Sequence, residues 1–547
     1  MDAASIAISL CSICIAGYRS FQSLKSLGTD AQVVLSKIEI QEYRLQGLMQ
    51  TLETIKRAKD THDLDLVKDP IYNALKSIKL LTTDATHLRN QYKLKLEIPT
   101  LIESEETKHE AEDAAPGPVV VKIRKPYIIR WLLFDKANME KLAADLKQLT
   151  DGLEDLCAMA VRHEFPSSLL SAAIFSLAAS DPPALQIIAT ASAETYPDLA
   201  ADAERKLERL VAEGGFHIES PRRVNLYGME ELSFSDSVER DSPRATAMLV
   251  ATRQVVLVEW RPLPFEFEHR DRALARLETT SNLLQIPRSA AMHTLDCPGY
   301  VVDRSSGPTW LAALVYRYPQ DAAREAPQSL LRLLQDSEDS RGRYHPSLDD
   351  RYALALALAE TVFRLHMSGW LHRCIGAHNV LFFGKEGGGK NAHLREPYLT
   401  GFEFSREEGE RLATETVIEG AGVNRYRHPG CQGPFRAGFR KVHDLYSLGM
   451  VLLEIGLWKP FDRPPQYKLT SSSSENRDRI VEKCLNGYLA HYVGNKYQSV
   501  VRTCLTGDFS CGVSDDAAFQ RHVYDVVVEP LKRLVAGMSR NEREGLD

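Results

Sequence analysis

The spacing of apolar residues changes character near residue 214, and that change dictates two different kinds of core. From Ala3 to about Leu210 apolar side chains recur every third or fourth position, the period of a helix with one buried face. Ile38, Leu45, Leu48, Leu52 and Ile55 share one such face, and Met139, Leu142, Leu146, Leu149, Leu153 and Leu156 share another. A third helix is expected from Asp69 to about Tyr92 on Ile71, Leu75, Ile78 and Leu81. Asp135, behind the apolar Phe134, suits an N-cap. The glycine pair after "YPDLAADAERKLERLVAE" suits a helix stop. Past Arg223 the texture turns to short β-rich runs, "ATAMLVATRQVVLVEWRPL", "GYVVD" and "WLAALVYRY". After Pro319 it is helical again, with "SLLRLLQD" and "LDDRYALALALAETVFRLHMSGW".

A chain of 547 residues exceeds what one core organises. The expected fold class is therefore multidomain: an all-α helical bundle over residues 1–212, a linker at 213–222 and an α+β unit over 223–540. Within the first, the acidic stretch "ESEETKHEAEDAAPGP" cannot bury a face and reads as part of a loop over 100–126. "LTSSSSEN", from Leu469, reads as an exposed loop.

A net charge of −7 without a long basic stripe argues against a nucleic-acid partner. Nine cysteines, an odd number without framework spacing, read as free thiols in a reducing compartment, so the expected location is cytoplasmic. Asp2 is the only charge before Arg19 and no cleavage site follows, which argues against a secretory signal. The same segment is greasy almost all round: Ile6, Leu10 and Ile13 make one face, Ile8 and Ile15 broaden it, and Ser5, Ser9 and Ser12 form a narrow polar stripe. It reads as a helix buried in its own bundle or as one that leaves the bundle for a bilayer, with burial the plainer reading of the residues alone. At about 20 residues needed per span, Ala3 to Tyr18 is a little short. Cys11 and Cys14 form a C-x-x-C with no second pair nearby, which points to packing rather than metal.

In the second half, "LHRCIGAHNVLFF" keeps His372, Arg373 and Asn379 of the H-R-D-L-x-x-x-N loop, "YLTGFEFSR" keeps Phe402 of D-F-G, and "HDLYSLGMVLLEI" supplies Asp444 as the brace beneath the loop. This ordered set resembles the protein kinase family, which implies a bilobal kinase-like fold. Phosphoryl transfer needs metal ions, a strand lysine, a glycine-rich cover and an aspartate at the acceptor hydroxyl. Here Cys374 stands for that aspartate, Gly401 for the metal aspartate and Glu259 for the lysine, and no G-x-G-x-x-G precedes Val255. A thiol of pKa about 8.5 does not replace the base. The expectation is a pseudokinase without catalytic residues, resident metal or required cofactor. Arg261, Asn379 and Glu403 are left as a candidate nucleotide cleft for ATP and Mg. Arg373 could pair with a phosphorylated segment holding Ser405, Thr414 and Thr416. Cys374 as a nucleophile with His372 or His378 is the weaker reading, because the kinase loop explains those neighbours.

The apolar first helix, "VVLSKIEIQEYRLQGL", the acidic loop and "RWLLFDKANMEKLAADLKQLTDGLEDL" together resemble the HeLo domain of fungal heterokaryon-incompatibility and prion-inhibition proteins. That resemblance implies a first helix, carrying Ile6, Ile8, Leu10, Ile13 and Ile15, that inserts into membranes in programmed cell death. It also implies membrane lipids, self-association and an upstream signalling protein as partners, with conditional recruitment to the plasma membrane. The order, a helical bundle before a pseudokinase, is similar to that of the animal necroptosis executioner. The chain ends in "EPLKRLVAGMSRNEREGLD", a short helix and polar end in place of an amyloid-forming tail. The alternatives are an atypical Ser/Thr kinase with a helical regulatory domain, and a pure protein-binding adaptor.

Overall fold

The computed structural model describes residues 3–18, 21–22, 24, 28–58, 68–94, 96–97, 130–131, 135–161, 182–194, 196–214, 224–234, 243–264, 267–286, 292–305, 310–339, 345–385, 394–402, 405–407, 425–432, 438–460, 473–509 and 516–544. Two compact units divide between Ala200 and Ala201.

The N-terminal unit contains α1 (Ala3–Tyr18), α2 (Thr29–Ala58), α3 (Lys68–Thr83), α4 (Ala85–Tyr92), a two-stranded ladder of β1 (Leu96–Glu97) with β2 (Arg130–Trp131), α5 (Lys136–Val161), α6 (Pro182–Ser192) and the start of α7 (Pro197–Gly214). Its core is the expected set of stripes. Ile38, Leu45, Leu48 and Leu52 of α2, Ile71, Leu75, Ile78 and Leu81 of α3, and Met139, Leu142, Leu146 and Leu153 of α5 are all buried in one cluster, with Leu149 and Leu156 packed against it. Asp135 caps α5, its Oδ1 accepting the Asn138 N–H at 3.2 Å.

Two local expectations change. The helix expected from Asp69 to Tyr92 is two helices, because Asp84 leaves the helical region (φ −98°, ψ 96°) and its side chain accepts the His87 N–H. Thr82 and Thr83 bond back to the carbonyls of Ile78 and Lys79, closing α3 just before the break. In α1 the fully buried line is Ala7, Cys11, Cys14 and Tyr18, while Ile8, Leu10 and Ile15 flank it partly buried and Ser12 is exposed. Ser9 and Ser12 of the polar stripe are exposed, and the fully buried line lies across the helix from them, so the serines and not the largest apolar residues mark the outer face. Gly17 lies where an added Cβ would come within 2.6 Å of Thr82 Oγ1, so α1 and α3 meet at nearly backbone contact there. Cys14 donates its S–H to the Leu75 carbonyl at 3.3 Å, and burial pushes that thiol up to about 12, an inert packing residue. The acidic stretch over 100–126 lies outside the described residues.

The C-terminal unit holds the rest of α7, then β3 (Asn225–Tyr227), β4 (Leu232–Phe234), β5 (Arg244–Leu249), β6 (Val255–Pro262), α8 (Phe267–Gln285), β7 (Gly299–Asp303) and β8 (Leu311–Arg317). These six strands form one sheet in the order β3-β7-β8-β6-β5-β4, antiparallel except for the β3–β7 pair. Val256 and Val258 of β6, with Ala247, Val301, Ala313 and Val315 of its neighbours, form its buried face. Helix α8, inside the stretch read as β-rich, was not foreseen; its charged run "EHRDRALARLE" hides the buried Ala273, Leu277, Leu283 and Leu284.

Beyond the sheet lie β9 (Gln328–Ser329), α9 (Leu330–Asp339), α10 (Leu348–Met367), β10 (Trp370–Leu371), β11 (Val380–Phe382), β12 (Tyr398–Leu399), β13 (Arg406–Glu407), α11 (Lys441–Leu457), α12 (Ser473–Leu485), α13 (Tyr488–Thr506), α14 (Asp516–Val523) and α15 (Glu529–Glu544), the last pair joined by a π turn. Ser347 caps α10 by accepting the Asp350 N–H. Helix α11 is buried along its whole length, packed on α10 and α13. The serine run from Leu469, read as a loop, instead starts α12 at Ser473, with Glu475 in its first turn, where an anion suits the helix dipole.

Candidate functional site

The end of α10 feeds β10 and then the loop His372–Asn379, and the loop's shape is set from below by Asp444. This carboxylate, fully buried near the start of α11, accepts the His372 N–H and the Arg373 N–H at 2.8 Å each and meets His366 Nε2 at 3.2 Å. Burial alone would raise its pKa, but the bonds from His366 and the loop outweigh that and hold it below the ordinary carboxylate value. Arg373 has φ +66°, a left-handed conformation unusual for a side chain of its size, and the Asp444 bond to its amide holds it there. Arg373's guanidinium lies over the Phe439 ring, 5.4 Å from its centroid.

His372 is a strut. Its Nδ1 accepts the Cys374 N–H at 3.2 Å, so the proton sits on Nε2, which points to the Thr400 carbonyl at 3.0 Å. The ring stacks edge-on to Phe402, 4.5 Å between centroids. Both nitrogens face backbone groups, so neither is offered to the Cys374 thiol as a base. His372 is therefore not placed to serve as a general base for that thiol.

Asn379 is bound on every side. Its Nδ2 donates to the Cys374 carbonyl at 2.7 Å, and its backbone carbonyl accepts the Thr400 N–H at 2.8 Å. Its Oδ1 accepts from a residue the sequence reading missed, Arg244 of β5, at 2.5 Å. The same guanidinium donates to the His378 carbonyl at 2.7 Å, to Thr400 Oγ1 at 3.1 Å, and through Nε to Glu259 Oε1 at 2.8 Å. Glu259 spends its other oxygen on the Tyr316 hydroxyl and the Gly401 N–H, at 3.1 and 3.0 Å. The glutamate in the lysine's place thus forms a charge pair with an arginine from the neighbouring strand. Together they tie the sheet to the loop. Arg261, named for the cleft, is buried on β6 two residues past Glu259, but the cation that reaches Asn379 is Arg244.

Gly401 has φ +85°, and a Cβ there would lie 2.2 Å from Asn379 Nδ2. The space a side chain at position 401 would need is filled by the Asn379 amide. In the candidate cleft, among its described residues, Glu259 and the Asn379 amide oxygen both accept from the Arg244 guanidinium, so the oxygens there already face a cation of the chain itself. Among the described residues no group of three or more His, Cys, Asp or Glu is placed to hold a metal ion. Glu403, Thr414 and Thr416 lie outside the described residues, while Ser405 is buried with its hydroxyl on the His372 carbonyl.

Burial pushes His372, His378 and His443 down to about 4. Their unfolded forms take up protons near pH 6.5, so the stability they contribute is complete above about pH 6.5 and is lost as pH falls toward 4. Thermal stability is expected to fall as pH drops through that window, and His378→Gln to lower the slope by up to about one proton.

A mainly helical unit with one short β ladder thus precedes an α+β unit that has a braced loop and an ionic cluster of Arg244, Glu259 and Asn379. Residues 2–180 match the HeLo family model, described as prion-inhibition and propagation, so the N-terminal segment is similar to HeLo domains. Residues 287–537 match a model described as a domain of unknown function (DUF7580). No curated protein matches the chain.

Proposed function

We propose that this chain is a non-enzymatic signalling protein, an effector of cell death or incompatibility whose HeLo domain engages membranes under the restraint of a catalytically inert, kinase-derived C-terminal unit. The HeLo match over residues 2–180 carries the reading. The kinase derivation is supported by an antiparallel run β4–β5–β6 whose last strand bears Glu259 at the lysine's place, by the helix α8 that follows it, and by the Asp444-braced loop. The loss of chemistry is supported by Arg244, Glu259 and Asn379 satisfying one another where phosphates and metal would be screened. An atypical kinase remains the rival. Incubation with labelled ATP and Mg or Mn is expected to give no labelling of the chain, and labelling abolished by Asn379→Ala would revive that rival.

Helix α1 has 16 residues, about 24 Å at 1.5 Å each, against a hydrocarbon core of about 30 Å. No helix among the described residues is long and apolar enough to cross a membrane. The engagement we propose is therefore insertion at the interface or by self-associated helices after α1 leaves the bundle. Ile13 is the partly exposed member of the named set outside the core cluster. Ile13→Asp is expected to lower dye release from anionic vesicles by tenfold or more, taking about 3 kcal/mol for a buried charge, with thermal unfolding unchanged. Unchanged release would count against α1 as the inserting element.

A further inference from the structure

At Gly17, α1 meets α3 without a side chain of its own. A Cβ built there would lie 2.6 Å from Thr82 Oγ1, 2.7 Å from Thr83 Cγ2 and 2.8 Å from Thr82 Cβ, all on the last turn of α3. None of these atoms can swing aside. Thr82 Oγ1 donates to the Ile78 carbonyl at 2.9 Å and Thr83 Oγ1 to the Lys79 carbonyl at 2.7 Å, which fixes both β-branched side chains on their own helix. Thr82 is fully buried, and its Cβ moves only with the backbone. A methyl at position 17 would have to push the two helices about 1 Å apart to reach ordinary carbon contact. A gap of about that size forfeits roughly half of the dispersion attraction, so the contact is either seated or parted.

The hold on α1 is concentrated at the same end. One turn before Gly17, Cys14 donates to the Leu75 carbonyl of α3 at 3.3 Å. Tyr18, with Phe21 and Leu24 just beyond the helix, is at most 1 % exposed in the same core. Toward the start, Ala7 is 5 % exposed, Ile8 and Leu10 are partly buried and Ser9 is exposed. Ala7 offers the core one methyl where Tyr18 offers a ring. Among the described side chains, less fully buried apolar area therefore holds the first half of α1 than the second.

We infer that the contact of Gly17 with Thr82 and Thr83 is the latch of α1: the N-terminal half of the helix loosens first, and parting this contact is the step that lets the rest go. The latch deepens the function proposed above and rests on its premise that α1 leaves the bundle. Because it is read by amide exchange and not by vesicle leakage, the two ideas fail separately.

The test is hydrogen–deuterium exchange on the full chain carrying Gly17→Ala, with Gly152→Ala as its control. Gly152 lies on α5 with nothing within 4 Å of an added Cβ, so alanine there acts through helix propensity and should slow exchange nearby about two- to fivefold. At Gly17 the same substitution is expected to do the opposite. Amides of 9–18 should exchange about tenfold or more faster, with α5 and the C-terminal unit unchanged. Rates in α1 within about twofold of wild type, slowing as at Gly152, or equal acceleration in α1, α2 and α5 would overturn the latch. Should Gly17→Ala not fold, wild-type exchange in rising denaturant decides: amides of 9–13 must open before those of 14–18, and these before α5. A single shared opening of α1 with α2, α3 and α5 would contradict the inference.

Discussion

Asp444→Ala is expected to lower the stability of the C-terminal unit by about 3–5 kcal/mol, the largest loss of any single change considered. The substitution leaves the buried His372 amide and the part-buried Arg373 amide without their acceptor and removes the partner of His366. It also releases the left-handed Arg373, whose conformation stands only while its amide is held. Asp444→Asn keeps one acceptor oxygen but turns a donor toward an N–H group, so it should lose more than half as much. Four of the five tryptophans, 260, 310, 370 and 458, lie in this unit, so denaturant unfolding followed by their fluorescence reads it selectively. The midpoint should fall steeply while the helical signal of the bundle keeps its own transition. A loss under about 1 kcal/mol would mean that the loop is shaped by something other than Asp444.

Gly401→Asp, which restores the residue type that metal binding in a kinase would need, is expected to destabilise by about 3 kcal/mol or more and to give no phosphoryl transfer. Two costs add. The positive φ is strained for any residue with a Cβ, about 1–2 kcal/mol, and the Cβ would press on the Asn379 amide at 2.2 Å. The new carboxylate would also sit beside Glu259, which already accepts the position's own N–H. Gly507→Ala separates the two costs, since φ there is +68° with open space around the added Cβ. It should lose only about 1 kcal/mol. Equal losses at the two positions would remove the packing argument.

Most of the bundle was legible because stripes such as Met139, Leu142, Leu146 and Leu153 have only one way to be buried. Where a stripe runs unbroken the sequence misleads: Leu81 and Leu88 are seven apart, a helical spacing, yet Asp84 ends one helix and caps the next. In α1 the direction lay in the small polar residues, Ser9 and Ser12 being exposed across the helix from Cys11 and Cys14, and not in the isoleucines and leucines that occur on several sides. Asp444 and the loop were legible from their ordered motifs. Arg244 was not, because its partner is set by cross-strand register: β5 and β6 pair Met248 with Val255 and hence Arg244 with Glu259. Counting back from the turn at 250–254 would have placed them opposite each other, an arginine against the misplaced glutamate. The Asp202–Arg364 pair, 162 residues apart, has no local signal at all.

The account stands on a bundle that acts and a C-terminal unit that restrains it. The most direct measurement is dye release from anionic vesicles by residues 1–200, a compact unit with its own core, beside the full chain at the same concentration. The fragment is expected to release dye while folded by circular dichroism, and the full chain to stay near background. A folded fragment that is inert, or a full chain that releases dye as fast as the fragment, would contradict the account.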